Sequence, residues 1–212
     1  MKGIKRILPV LLAVLLLTGC VRAEKAEEDA FGLYRQALRN ETEISFVYYG
    51  GEQGTAKLEN GFPWLDNVSF PRFALADVDK DGKKEVVVEI SPNGGVYYGF
   101  LILRMLDSRV IGYELSYRGL TELKEDGTAS HANTADDYGF GYLVLESDED
   151  YGFAPIAYRI PDTEKNAGFY AHGEPISQDE YDRLQAEQDQ KEPAQWYDLT
   201  EENIESLIVP TA

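Results

Sequence analysis

The residues best equipped for chemistry stand between two apolar runs. Asp77, Asp79 and Asp81 alternate, Gly82 follows, and Glu85 comes just before Val86-Val87-Val88. A calcium ion takes about six to eight oxygens at about 2.3–2.6 Å, and alternate carboxylates on a tightly curled backbone converge on such a centre. Gly82 is the residue able to take the positive φ that the curl needs, and the backbone carbonyl of Lys83 supplies a further oxygen. The spacing therefore predicts a Ca²⁺ loop with Asp77, Asp79, Asp81, Lys83 and Glu85 as ligands. An EF-hand would need a bidentate Glu at position twelve and a helix beyond it. This chain has Val88 there and continues as a β-branched run, so Glu85 at position nine becomes the closing carboxylate. Lys80-Asp81-Gly82-Lys83 also reads as a plain polar hairpin turn, which Asp-Gly favours without metal. Against that, three carboxylates within five residues repel one another unless a cation neutralises them. Coordination would engage every one of these carboxylates and leave none as a base, so the ion is expected to be structural.

The strand-loop-strand form resembles the Asp-x-Asp-x-Asp-Gly loops of integrin-type β-propeller repeats. No group of residues elsewhere makes a catalytic constellation by its spacing. Ser130 and His131 are adjacent, with Asp136 and Asp137 nearby, but a nucleophilic triad is defined by geometry that spacing does not supply. His172 lacks the further ligands at fixed spacing that zinc requires. A glycosidase needs two carboxylates about 5–9.5 Å apart in a cleft. With 38 acidic residues in the chain, any chosen pair is uninformative.

The beginning of the chain is a targeting segment. Lys2, Lys5 and Arg6 form a basic region, and Ile7 to Leu17 is an apolar core of eleven residues, too short for a spanning helix of about 20. It ends in Leu17-Thr18-Gly19-Cys20, which resembles a bacterial lipobox. The resemblance implies cleavage after residue 19, a diacylglyceryl thioether on Cys20, and a tether over residues 20–29. An ordinary signal peptide with an incidental cysteine is the alternative. Two acyl chains give stable anchoring where one would be marginal. Cys20 is the only cysteine, which excludes an internal disulfide and a cysteine nucleophile from the exported domain. Loss of residues 1–19 removes three basic side chains and takes the net charge from −18 to −21. Such a surface repels nucleic acid and anionic headgroups.

Residues 30–212 read as a single domain, long enough to bury a core. Ala30, Leu33, Tyr34, Ala37 and Leu38 draw one apolar stripe along a helix over 26–39, which Asn40 ends. Aromatic and β-branched runs then predict strands at Ile44–Tyr49, a weaker return at Ala56–Glu59, and strands at Glu85–Ile90, Val96–Met105, Val110–Tyr117, Leu120–Lys124, Tyr142–Leu145 and Ile156–Ile160. Glu85–Ile90 is apolar on both faces, the mark of a central strand. Three Tyr-Gly-Phe tripeptides, beginning at Tyr98, Tyr138 and Tyr151, read as close-packed strand positions. Ser177-Gln178-Asp179-Glu180 is a capping box opening a polar helix to about Gln190, with Ile176 and Tyr181 as a hydrophobic staple. Pro193 stops that helix, Trp196-Tyr197 is an apolar anchor, and Thr200 caps a last short helix. The fold class expected is α+β: an antiparallel β-rich single domain with an N-terminal helix and two short C-terminal helices.

Taken together, the calcium loop, Gly112 to Leu120 leading to Leu123 to Thr128, and Ser177 to Tyr181 before Trp196 and Glu202 to Ile204 resemble a group of lipoproteins from anaerobic Gram-positive bacteria. The resemblance implies an anchored, extracytoplasmic protein and no particular reaction. Lys80, Lys83 and Lys84 depart from it, standing where small or apolar residues are commoner, and their ammonium groups weaken cation affinity. The leading expectation is a membrane-anchored binding protein with one structural Ca²⁺, facing an extracellular carbohydrate or protein ligand. The alternative is an exported, carboxylate-dependent hydrolase of wall or extracellular polymers.

Overall fold

The computed structural model describes residues 31–47, 53–60, 67–92, 99–145, 147, 150–162 and 166–209. The targeting segment, Cys20, the tether, Trp64, and Tyr48 and Tyr49 lie outside them.

Helix α1 covers residues 31–38 of the described chain. Strands follow as β1 (Ile44–Val47), β2 (Gln53–Ala56), β3 (Val68–Ser69), β4 (Arg72–Ala76), β5 (Glu85–Pro92), β6 (Gly99–Leu106), β7 (Arg109–Ser116), β8 (Ala129–Ala132), β9 (Tyr138–Val144), β10 (Gly152–Ile160), β11 (Gly168–Ala171) and β12 (Glu174–Ile176). Helix α2 (Gln178–Asp189), strand β13 (Trp196–Asp198) and helix α3 (Glu201–Leu207) complete the chain. The larger sheet runs β13-β4-β5-β6-β7-β1-β2, with β3 paired to the far end of β5. The smaller sheet runs β12-β11-β10-β9-β8. All pairs are antiparallel except β1 with β7, which is parallel.

The larger sheet is covered on both faces, which is why its central strands are apolar throughout. Phe73, Val86, Val88, Leu101 and Leu103 pack with Phe31, Tyr34, Ala37 and Leu38 of α1 and Ile204 and Ile208 of the α3 segment. The alternate residues Ala74, Val87, Ile102 and Ile111 pack with Leu120, Leu123, Ala129, Leu143 and Leu145. Helices therefore cover one face, while the smaller sheet and the 120–129 loop cover the other. Of the stripe expected on α1, Tyr34, Ala37 and Leu38 are buried, Leu33 is half-buried and Ala30 lies outside the described residues; the helix gives way at Asn40, whose φ is 61°.

Several expected elements shift. The return expected over Ala56–Glu59 keeps only Ala56 as strand, at the end of β2, and passes into the 3₁₀ turn Leu58–Asn60. Leu120–Lys124 is not a strand: it is a looped segment with isolated bridges from Thr121 to Ser130 and from Lys124 to Pro193. Leu120 and Leu123 are apolar because the loop buries them in the core, not because a ladder does. Trp196-Tyr197 is more than an anchor, since it adds an edge strand to β4. Of the Tyr-Gly-Phe glycines, Gly139 is close-packed, with a Cβ there standing 2.3 Å from the Ala157 carbonyl oxygen, whereas Gly152 has nothing nearer than 3.9 Å.

The capping box forms in part. Ser177 Oγ accepts from the Glu180 N–H at 3.2 Å, and Tyr181 and Gln188 are the buried residues of α2. Thr200 Oγ1 likewise accepts from the Asn203 N–H, at 3.3 Å.

Candidate metal centre

Strands β4 and β5 pair from Phe73↔Val88 to Ala76↔Glu85, so the loop between them starts and ends at one point of the sheet. Within it Gly82 has φ 89° and Lys80 φ 63°, the left-handed conformations that curl the backbone. Asp77 Oδ2 accepts from the Gly82 N–H at 3.1 Å, Asp79 Oδ1 from the Asp81 N–H at 3.1 Å, and Asp81 Oδ1 from the Lys83 N–H at 2.8 Å. Glu85 Oε2 accepts from the Val78 N–H at 3.0 Å.

This geometry brings Asp77, Asp79 and Glu85 together, with one oxygen of each within 4.8 Å of the others. Two oxygens on one Ca²⁺ stand at most about 5 Å apart, so the three carboxylates could hold a single metal ion. Asp81 is not in that group. Its second oxygen faces Arg104 at 3.4 Å and Lys83 Nζ at 3.9 Å. Asp77 Oδ1 is buried and has no hydrogen-bond partner, a costly state for a carboxylate oxygen unless a cation joins it. Burial, then the charge of Asp79, pushes the Glu85 carboxyl up to about 9. Burial also raises Asp79, against the pull of Arg104.

Two residues that local spacing does not reveal join this site. Arg104 Nη2 lies 3.1 Å from Asp79 Oδ2, reaching over from β6. The available signal was a lone arginine within the apolar run Phe100 to Leu106. Tyr34 of α1 accepts from the Met105 N–H at 2.9 Å, and burial, then the Glu85 charge, drives its phenol well above the ordinary range.

The loop rests on a second turn. A Cβ at Gly127 would lie 1.8 Å from the Asp77 carbonyl oxygen, so the 124–128 turn packs directly beneath Asp77. From the smaller sheet, the Leu143 N–H donates to the Val78 carbonyl at 2.8 Å. The 124–128 turn is in turn fixed to the end of α2. Lys124 Nζ donates to the Asp189 carbonyl at 3.2 Å, the buried Gln188 Nε2 donates to Thr128 Oγ1 at 2.9 Å, and Lys191 pairs with Asp126 at 2.8 Å. Helix α2 carries no basic residue in its own last turn, so these two lysines supply the positive charge its C-terminus favours.

Burial opposes ionisation of Asp126, yet hydrogen bonds from Lys191 and Thr128 outweigh it and bring the carboxyl down to about 2. A depressed folded value stabilises above the unfolded value of about 3.9 and loses that contribution as pH falls through the folded one. Asp126→Asn is therefore expected to flatten the stability profile between about pH 4 and pH 2. Solvent screening at this half-exposed pair holds the effect under about 1 kcal/mol. Urea midpoints of both proteins across that range check it, and parallel profiles would show that the pair contributes nothing.

The other candidates do not assemble. Ser130 Oγ donates to Glu122 at 3.5 Å, while His131 sits between the Gly119 carbonyl and Asn133 and stacks on Phe153 at 4.6 Å. Asp136 pairs with Arg159 at 2.7 Å, Asp137 accepts from Asn133 at 3.0 Å, and His172 occupies the turn between β11 and β12 with φ 50°. An open pocket of about 330 Å³ lies at the β1–β2 edge, lined by Ser45, Phe46, Gln53, Gly54, Thr55 and Arg109.

Neither known protein families, nor curated proteins, nor solved structures give a match to this chain. The functional reading accordingly rests on the residues themselves.

Proposed function

We propose that this chain is a lipid-anchored lipoprotein of the extracytoplasmic membrane face, whose single β-rich domain holds one structural Ca²⁺ and binds an extracellular carbohydrate or protein ligand. The observation that carries the calcium reading is the buried, partnerless Asp77 Oδ1 beside Asp79 and Glu85. Three hard carboxylate oxygens suit Ca²⁺ better than a softer transition metal. Asp77, Asp79 and Glu85 would hold the ion, and its role would be to neutralise their charge and pin the β4–β5 connection. Asp81 and the Lys83 carbonyl remain candidates for the outer side of the loop. The anchor reading rests on Leu17-Thr18-Gly19-Cys20. Binding is favoured over hydrolysis because the β1–β2 pocket is lined without a carboxylate, and among the described residues the carboxyls raised by burial, Asp79 and Glu85, both belong to the candidate metal cluster.

The test is the thermal midpoint of the full chain in detergent, in chelator and in millimolar Ca²⁺, with Asp79→Ala alongside. An ion at a hundred times its dissociation constant stabilises the fold by about 2.7 kcal/mol. For a domain of this size that is a rise of about 5–10 °C. The rise is expected in the wild type and absent in the variant. No shift in either protein would reduce the loop to an acidic turn and end the calcium reading.

A further inference from the structure

We infer that Arg104 is the resident cation of the acidic loop and sets its affinity for a divalent ion, which must take Asp79 from the guanidinium in order to bind all three carboxylates. This rests on the calcium reading above. Arg104 Nη2 stands 3.1 Å from Asp79 Oδ2 and 3.4 Å from Asp81 Oδ2. The arginine side chain is 16% exposed and that of Asp79 only 5%, so the pair is largely withdrawn from screening solvent. A guanidinium keeps its charge at every physiological pH, so protonation never clears it from the site. Its register is fixed as well: Arg104 follows Leu103, which pairs with Val86 directly beyond Glu85.

The coverage Arg104 gives is partial. Its polar contacts run to Asp79 and Asp81, leaving Asp77 Oδ1 without a partner and Glu85 held by the Val78 N–H. One positive charge thus offsets Asp79 and Asp81 and leaves Asp77 and Glu85 short of a cation. A divalent ion drawn to Asp77 and Glu85 meets Arg104 at Asp79, and two like charges a few ångströms apart repel strongly at a half-buried site. Asp81 lies on the more exposed side and gives the guanidinium a carboxylate to keep when Asp79 turns to the metal. Arg104 therefore acts as a built-in competitor and weakens the site in proportion to its hold on Asp79.

The experiment is calorimetric titration of the full chain in detergent with CaCl₂ at fixed ionic strength, for wild type, Arg104→Met and Arg104→Lys. Arg104→Gln stands in if the Met variant does not fold in chelator. The inference expects the neutral variant to bind at least tenfold more tightly and the lysine variant to stay within a few-fold of wild type. Binding by the neutral variant alone would support it further. A purely supporting role for the side chain predicts the reverse, since a loosened loop binds less well. Unchanged or weaker binding by the neutral variant, with clear binding by wild type, overturns the inference and leaves the calcium reading standing. No binding by any of the proteins overturns both.

Discussion

Gly127→Ala is expected to lower the thermal midpoint by about 6–20 °C. The new Cβ would lie 1.8 Å from the Asp77 carbonyl oxygen and 2.6 Å from its carbon, both backbone atoms that no rotamer change can move aside. The residue also sits at φ 78°, where an L side chain costs about 1–2 kcal/mol on its own. Strain and overpacking together amount to about 3–5 kcal/mol, a large share of the 5–15 kcal/mol, roughly, that holds a domain together. Each kcal/mol moves the midpoint of a domain this size by about 2–4 °C. Asp77 is the first carboxylate of the candidate metal cluster, so on the calcium proposal the variant should also lose most of its response to Ca²⁺. Melting curves followed by circular dichroism, with and without the ion, measure both effects. A midpoint within 2 °C of wild type, to order of magnitude the cost of a surface change, would mean that the two turns do not touch.

The second large effect tests the two-sided burial of β6. Leu101 and Ile102 are adjacent and both fully buried, one against the helices and the other against the 120–129 loop and smaller sheet. Truncating either to alanine removes buried methyl groups and leaves a cavity, at a cost of about 2–5 kcal/mol. The expected result is two similar losses. Thr55→Ala at the exposed edge strand is the control and should stay within about 0.5 kcal/mol. In a sheet with one face to solvent, one of the two core variants would behave like the control, and that outcome would sink the layered arrangement described above.

How far the sequence led depended on whether the physics was local. The Asp77–Glu85 loop was legible because its chemistry is written in spacing: alternate acids, a glycine at the curl, and β-branched residues on the exit. The two-sided burial of β5 was legible for the same reason, since Val86, Val87 and Val88 leave no polar face. Arg104 was not, because it reaches Asp79 only when β6 pairs with β5, and nothing near residue 79 announces it. Leu120 and Leu123 misled in the opposite way: they look like a strand, yet a loop pressed onto a sheet needs the same apolar residues. Nothing in the spacing around Gly127 announces its place beneath Asp77, which exists only in the folded chain. Asp107 and Ser108, both at positive φ, make the tight connection between β6 and β7 without any glycine to signal it.

The parallel pairing of β1 with β7 dictates an order of assembly. Ser45, Phe46 and Val47 find their partners at Ile111, Gly112 and Tyr113, so the first strand has no neighbour on that side until β7 exists. At the other end, Arg39 of the α1 segment pairs with Glu201 and Glu205 of α3, and Arg35 donates to the Ile208 carbonyl. A chain that emerges N-terminus first therefore presents α1 and β1 early, and they must wait for the last helix before their contacts are complete. Closing such long loops is entropically costly, which makes the final step slow compared with the β5-β6-β7 meander that precedes it. The α1 segment is in this sense the last to be secured, and a chain cut short before α3 would leave it exposed at the surface.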